Sequence, residues 1–285
     1  MTRKAELRAI SCTLTLAVLT PGAAGAQTKE FTRTVTLEAG GELRLEASKG
    51  SVRLAAWDRN EVEVQARIDA SNNSWISDAD YSRRAVDATT VDVMAGSRSV
   101  SIRSNYDAIP TRWQWLGGVS RETPSIHYVI RAPAKVDLRL DLDRSNTELT
   151  GFEGRMMLEL DRSELDGRNL RGTIDLTIDR GGRSRLANVR GAVVLDADRT
   201  DVRIDADQLD ATSRIRADRG EIELMIPSSQ RLSVRADLAR RGSFHSDFPM
   251  TRVGRYDSDV EGTINGGGPA LQVRGDRVTF LLRRR

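Results

Sequence analysis

Two histidines, His127 and His245, are the only imidazoles in this 285-residue chain. A hydroxyl nucleophile needs a base beside it, so hydrolytic chemistry of that kind has two places to begin. His245 has Ser243 and Asp247 close by in "RGSFHSDFP", but nearness in sequence does not create a triad, which is defined by spatial roles. His127 lies inside "IHYVI", an alternating stretch of strand type. No catalytic residue is assigned from either.

Carboxylates are abundant, and two of them flanking a sugar would suit glycoside hydrolysis. Asp141, Asp143, Asp196, Asp198, Asp205 and Asp207 also supply the hard oxygens that calcium prefers. Several acids are followed at once by arginine, which sets a competing cation beside the carboxylate, and the glycine-rich nonapeptide of calcium solenoids is missing. No metal and no cofactor are expected. "NGGGP", Asn265 to Pro269, lacks the Lys-Ser or Lys-Thr of a phosphate-cradling loop and reads as a turn. The terminal "LLRRR" could touch anionic lipid, though three terminal arginines more often form a solvated end.

The remaining candidates are aromatic. Trp75, Tyr81, Tyr106, Trp113 and Trp115 fall between about residues 70 and 124, where regular patterning breaks. Aromatic side chains in an interrupting loop can stack on a sugar or anchor a partner. The simpler role is to cap the end of whatever scaffold the rest of the chain builds.

That scaffold is written in the spacing of Asp-Arg pairs. They begin at Asp143, Asp161, Asp179, Asp198 and Asp218, at intervals of 18, 18, 19 and 20 residues. Taking Gly154, Gly172, Gly191 and Ala211 as equivalent, apolar residues fall two before (Phe152, Leu170, Val189, Leu209) and four after (Leu158, Leu176, Leu195, Ile215). Leu160, Ile178, Ala197 and Ala217 follow two residues later, each directly ahead of its Asp-Arg. A spacing of two is a strand period, and the windows lack a sustained helical stripe. A second, looser strand after each Asp-Arg is marked by Leu149, Leu165, Leu186 and then Val202 with Ile204.

The predicted fold is therefore all-β: a parallel β-helix, or β-solenoid, of short strands with about 18–20 residues per coil and an N-terminal insertion or cap. Equivalent strands would pair about 4.8 Å apart, and one corner would stack Asp and Arg over Asp and Arg. A meander of hairpins is the competing reading, but among these turns only Gly181-Gly182 is a dipeptide of the Asn-Gly or Gly-Gly kind that marks two-residue hairpins.

Residues 1–26 read as a secretory signal peptide, with Arg3, Lys4 and Arg8 ahead of an apolar core and "PGAAGA". Cleavage after Ala26 removes Cys12, the single cysteine, and lowers the formal charge from +3 to +1. Residues 27–285 then form one domain with no disulfide, no transmembrane span and no basic stripe for nucleic acid. Its clearest repeats lie at about 140–226.

Several segments together resemble the DUF4097 family, whose other label is an adhesin domain. They are "GGELRLEASKGSVRL" from Gly40, "WDRNEVEVQARI" from Trp57, "IHYVIRAP" from Ile126, the repeats, "GEIELMIPSSQRLSVRADLARRGSF" from Gly220 and "GGGPALQVRGDRVTFL" from Gly266. The family usually carries a Ser-Gly-Asp-like turn where this chain has Asp-Arg. The resemblance implies a β-solenoid-like module linked with the cell envelope, and it brings no catalytic residues. The expected function is a non-enzymatic structural or interaction module, exported to periplasm, cell surface or medium, whose partner is an envelope protein or a glycan. A carbohydrate-active β-helix enzyme and an envelope-stress sensor are the alternatives.

Overall fold

The computed structural model describes residues 28–70, 79–114, 118–120, 122–239, 241–253 and 259–285. The expected signal peptide lies outside them. The first part supplies β1 (Thr28–Thr36), β2 (Glu42–Trp57), β3 (Glu61–Asp69), α1 (Ala79–Ala88), β4 (Thr90–Ala95), β5 (Ser99–Asn105), β6 (Arg112–Gln114), β7 (Gly118–Ser120) and β8 (Ser125–Pro133). The repeats follow as β9 (Asp137–Thr150), β10 (Glu153–Asp161), β11 (Glu164–Arg168), β12 (Arg171–Asp179), β13 (Arg183–Asp198), β14 (Asp201–Leu209) and β15 (Ser213–Ile226). The last part adds β16 (Leu232–Leu238), β17 (Ser243–Ser246), β18 (Thr251–Arg252), β19 (Val260–Ile264) and β20 (Ala270–Arg284).

These strands stack in parallel as a two-faced solenoid. One face runs through the first half of β2, the first half of β9, β10, β12, the second half of β13, and the starts of β15 and β20. The other runs through β8, the second half of β2, the second half of β9, β11, the first half of β13, β14, and the ends of β15 and β20. Long strands bend at a corner and so belong to both faces.

The predicted register holds on the first face. Gly154 pairs with Gly172 and Gly172 with Gly191, while Leu158, Leu176, Leu195 and Ile215 form one inward row. Each residue of that row is at most 2% exposed. On the second face the expected grouping of Leu149, Leu165 and Leu186 is corrected. Leu149 and Leu186 pair with Gly167, whereas Leu165 pairs with Thr147. The coil through Gly181 and Gly182 holds one more residue between corner and strand than its neighbours, so counting from Asp-Arg slips there.

The inward row through Leu165 runs Tyr128, Val52, Thr147, Leu165 in register, with Ser184 and Val202 continuing it. Its bulk is greatest toward the ends, at Tyr128 and Phe280, and least at Thr147 and Ser184. Thr147 is 3% exposed, and its Oγ1 has no hydrogen-bond partner among the described residues. A buried unpaired hydroxyl costs about 1–3 kcal/mol. Thr147→Val keeps the shape and removes that cost, so it should stabilise the fold by about 1 kcal/mol. Urea denaturation checks this, and a loss of stability would mean that the hydroxyl has a partner.

Both ends depart from sequence order. β2, the second strand of the chain, lies between the β5/β8 layer and β9. The last strand, β20, lies between β15 and the β16/β17 layer. Antiparallel pairs finish the stack: β3 on β8, β1 on β3 and β4 on β5 at one end, β19 on β16 at the other. Lys29 Nζ donates to the carbonyls of Asp87 and Thr89, and Arg33 to that of Val93, tying edge strand β1 across to the β4 side. Much of the segment expected to be an irregular insertion thus consists of sheet strands and a helix that close the first end.

The corner between faces explains the Asp-Arg period. Lys49, Arg144, Arg162, Arg180, Arg199, Arg219 and Arg277 all have left-handed backbone, with φ between 48° and 62°. The amides of Arg162, Arg180 and Arg199 are held by the neighbouring coil, donating to the carbonyls of Asp179 at 2.9 Å, Asp198 at 3.0 Å and Asp218 at 2.9 Å. Each arginine from Arg162 onward bridges its own aspartate and that of the preceding rung. Arg180 lies 2.9 Å from Asp179 and 3.2 Å from Asp161, and Arg199 lies 2.9 Å from Asp198 and 3.5 Å from Asp179. The zipper continues to Arg277, which bridges Asp276 and Asp218.

These pairs are half exposed, so each contributes roughly 0–1 kcal/mol, whereas a left-handed residue other than glycine costs about 1–2 kcal/mol. The two effects are comparable, which yields an unusual expectation. Arg180→Gly relieves the backbone while losing the pairs, so its stability should stay close to that of the parent. Arg180→Ala loses the pairs and keeps the strain, and should be the less stable variant. Raising salt should cost the parent more than either variant. Equal loss in both variants, measured by urea denaturation at low and high salt, would contradict this balance.

Candidate functional site

Of the expected aromatic residues, the structure places Tyr81 and Tyr106 against one small apolar cluster. Tyr81, on α1, is 5% exposed and packs with Ala85 and Ile109, and its hydroxyl donates to the Pro110 carbonyl at 2.9 Å. Tyr106 is partly buried against the same cluster, with its hydroxyl donating to the Ser48 carbonyl at 2.7 Å. Burial raises the pKa of that hydroxyl. Both tyrosines are thus held by packing and by a hydrogen bond to backbone. Trp113 belongs to β6, and Trp75 and Trp115 lie outside the described residues.

His245 is exposed on β17, and its sequence neighbours are engaged elsewhere. Ser243 Oγ donates to Thr279 Oγ1 at 3.1 Å, and Asp247 accepts from Arg283 at 3.1 Å and from the Arg284 amide at 3.0 Å. The C-terminal arginines are tied down in the same region. Arg284 lies over the Phe248 ring, and Arg285 pairs with Asp205 at 3.2 Å and with Asp207. The hydrogen bond from Arg285 lowers the Asp207 pKa. Among the acids weighed for calcium, Asp143 and Asp198 belong to the corner zipper, and Asp205 and Asp207 hold Arg285.

A concavity of about 470 Å³ lies elsewhere, on the outside of the second face. Strand register builds it. Arg67 of β3 pairs with His127 of β8, His127 with Ser51 of β2, Ser51 with Asn146 of β9, and Asn146 with Glu164 of β11. Arg183 at the start of β13 closes this row. Side chains alternate along a strand, so all six project from the same outer surface. Ser51 and Asn146 are short, and longer side chains rise on both sides of them.

A second row two residues along each strand forms the wall: Val129, Arg53, Glu148 and Asp166. Arg53 and Glu148 are joined by two hydrogen bonds, at 2.8 and 3.2 Å, which lower the Glu148 pKa. Beneath the groove the Tyr128 ring points into the core, its hydroxyl 2.8 Å from Ser104 Oγ. Burial pushes the pKa of this phenol well above its ordinary value.

At one end of the groove Ser51 Oγ lies 2.8 Å from His127 Nδ1, and His127 Nε2 lies 3.4 Å from Asp69 Oδ2. These residue types could serve nucleophilic catalysis. Here the Asp69 carboxylate also accepts from Arg67 Nε at 3.0 Å, so its charge is shared with a guanidinium. Strand β2 is paired on both sides around Ser51, so the backbone amides there belong to the sheet rather than to an oxyanion hole. What this arrangement offers is a fixed set of polar contacts for a ligand. Nothing in the spacing of Ser51, Asp69 and His127 announces it, because strand order β3–β8–β2 brings them together.

Among the described residues, no helix is long and apolar enough to cross a membrane. No curated protein matches the sequence. Solved structures similar to the chain include a candidate adhesin from Parabacteroides merdae, with 9% identity, 89% of this chain and 96% of that one covered, and a TM-score of 0.40. Another is a candidate adhesin from Bacteroides fragilis, with 10% identity, coverage of 90% and 97%, and a TM-score of 0.39. A candidate cell adhesion protein from Clostridium sporogenes gives 12%, coverage of 90% and 100%, and 0.34. The Toastrack DUF4097 family model matches residues 139–276, the segment that spans the parallel coils from β9 into β20.

Proposed function

We propose that this protein is an exported, non-enzymatic interaction module of the bacterial cell envelope, in which a rigid β-solenoid displays one polar face to a partner. The observation that carries this reading is the groove around Ser51 and Asn146. Its polar side chains stand in sheet register on paired strands, fixed as a binding surface. Glu148 and Asp166 are direct neighbours across β9 and β11, and Glu148 is engaged by Arg53. The basic and apolar N-terminal segment ending at Ala26 supports export.

Co-sedimentation of the purified chain with isolated envelope fractions tests the interaction, with the release of reducing ends followed in the same tubes. Saturable binding without release is the expected result. Steady, protein-dependent release would replace the module with a carbohydrate-active enzyme. For export, a phosphatase reporter that is active only outside the cytoplasm should be active when fused behind residues 1–30, and inactivity would refute that part.

A further inference from the structure

We infer that the groove floored by Ser51 and Asn146 is a binding subsite for an uncharged glycan. This rests on the proposed role as an interaction module and names the class of its ligand. At about 470 Å³ the groove falls within the roughly 300–1,000 Å³ of ligand sites.

Charge selects against ionic ligands. Arg53, Arg67 and Arg183 face Glu148, Glu164 and Asp166 around the cavity, so the lining carries as many cations as anions. A polyanion or an anionic membrane would meet three carboxylates, and a polycation three guanidinium groups. What suits such a surface is a ligand that both donates and accepts hydrogen bonds at closely spaced points. Sugar hydroxyl groups do this.

The available groups match that requirement. Asn146 offers an amide donor and acceptor, Glu164 a carboxylate and Arg183 a planar donor fork, and none of the three side chains makes a hydrogen bond or ion pair with another described residue. All three are exposed. Around them the site is already organised: Ser51 is held by His127, and Arg53 by Glu148. Fixing these contacts before binding reduces the entropy lost when a ligand arrives. Val129, at 36% exposure, adds an apolar spot for the C–H face of a sugar ring.

The depression is also local. Further along the same face Arg203 reaches Glu223 at 3.0 Å and Met225 Sδ at 3.0 Å, and these long paired side chains cover the sheet. Ser51 and Asn146 are the short residues that leave it open.

The test is calorimetric titration of the full purified chain with uncharged cello-, malto- and chito-hexaose, and separately with polygalacturonate and anionic phospholipid vesicles. Asn146→Ala and Asn146→Trp are run beside the parent, with thermal melts to show that both remain folded. Because Asn146 is exposed, each should melt within about 2 °C of the parent. The expected result is binding of at least one neutral hexasaccharide with Kd below about 1 mM. That binding should weaken at least tenfold in Asn146→Trp, which fills the floor, and by less in Asn146→Ala.

The inference is overturned if no neutral hexasaccharide binds, if only polygalacturonate or vesicles bind, or if Asn146→Trp binds the sugar as the parent does. Co-sedimentation with envelope fractions separates the two levels. Retained co-sedimentation in Asn146→Trp alongside any of those outcomes discards the groove and leaves the module. Loss of envelope binding by the parent itself discards both.

Discussion

Gly172→Ala should destabilise the protein by at least about 3 kcal/mol. Gly172 has φ of +113°, and a Cβ built there would lie 2.2 Å from the carbonyl oxygen of Gly154 in the next coil. The obstacle is backbone on a paired strand, which cannot rotate aside. Gly191 stands in the same relation to Gly172, at 2.0 Å, so shifting one coil moves the contact to the next instead of relieving it.

Two costs therefore combine: a backbone conformation that L-residues rarely adopt, and a separation of coils that breaks ladder hydrogen bonds on both sides. Gly266→Ala is the natural comparison. It also has positive φ, +80°, but nothing lies within 4 Å of the added carbon, so it should cost only about 1 kcal/mol. Urea denaturation of both variants gives the difference directly. Equal losses would mean that close approach between coils contributes nothing and that the glycine column reflects φ alone.

Leu176→Ala should cost about 3–4 kcal/mol through cavity formation. Leu176 is fully buried in the inward row between Leu158 and Leu195, and sheet register pins each member of the row in place. Neighbouring backbones are tied at strand spacing, so the coil cannot collapse onto the missing atoms, and the loss belongs in the upper part of the usual range for leucine. At about 2–4 °C per kcal/mol for a domain of this size, the melting temperature should fall by roughly 10 °C. A fall of only a degree or two would show that adjacent coils close the gap, and would contradict a stack held rigidly in register.

Much of the fold was legible because a solenoid repeats its physics at a fixed interval. Gly154 over Gly172 over Gly191, Leu158 over Leu176 over Leu195, and the aspartates beside them could be aligned by counting, and the structure pairs them so. Counting failed where the interval did. Asp276-Arg277 completes the zipper, yet it follows Asp218 by 58 residues because β16 to β19 intervene, and its place against Asp218 comes from β20 pairing with β15. Lys49 extends the left-handed corner column at the other end, with Ser48 where the aspartate would be. Burial and the neighbouring Arg144 charge lower its pKa.

The candidate site was less legible than the fold. Attention to Trp75, Tyr81, Tyr106, Trp113 and Trp115 followed residue type, and of these Tyr81 and Tyr106 pack against one small apolar cluster. The groove instead depends on Ser51, His127 and Asn146, each of which looks in sequence like an ordinary outward strand residue.

The sequence alone determined the period, the inward and outward faces, and the recurring charged corner, because side-chain alternation and turn chemistry act over a few residues and leave a local record. The order in which strands meet was decided only in three dimensions. β2 lies between β8 and β9 on the second face, and β20 lies inside the C-terminal end of the stack, because a parallel edge accepts any strand of matching length and face, however far away it is in the chain. That choice sets His127 beside Ser51 and Ser51 beside Asn146, and the groove exists because of it.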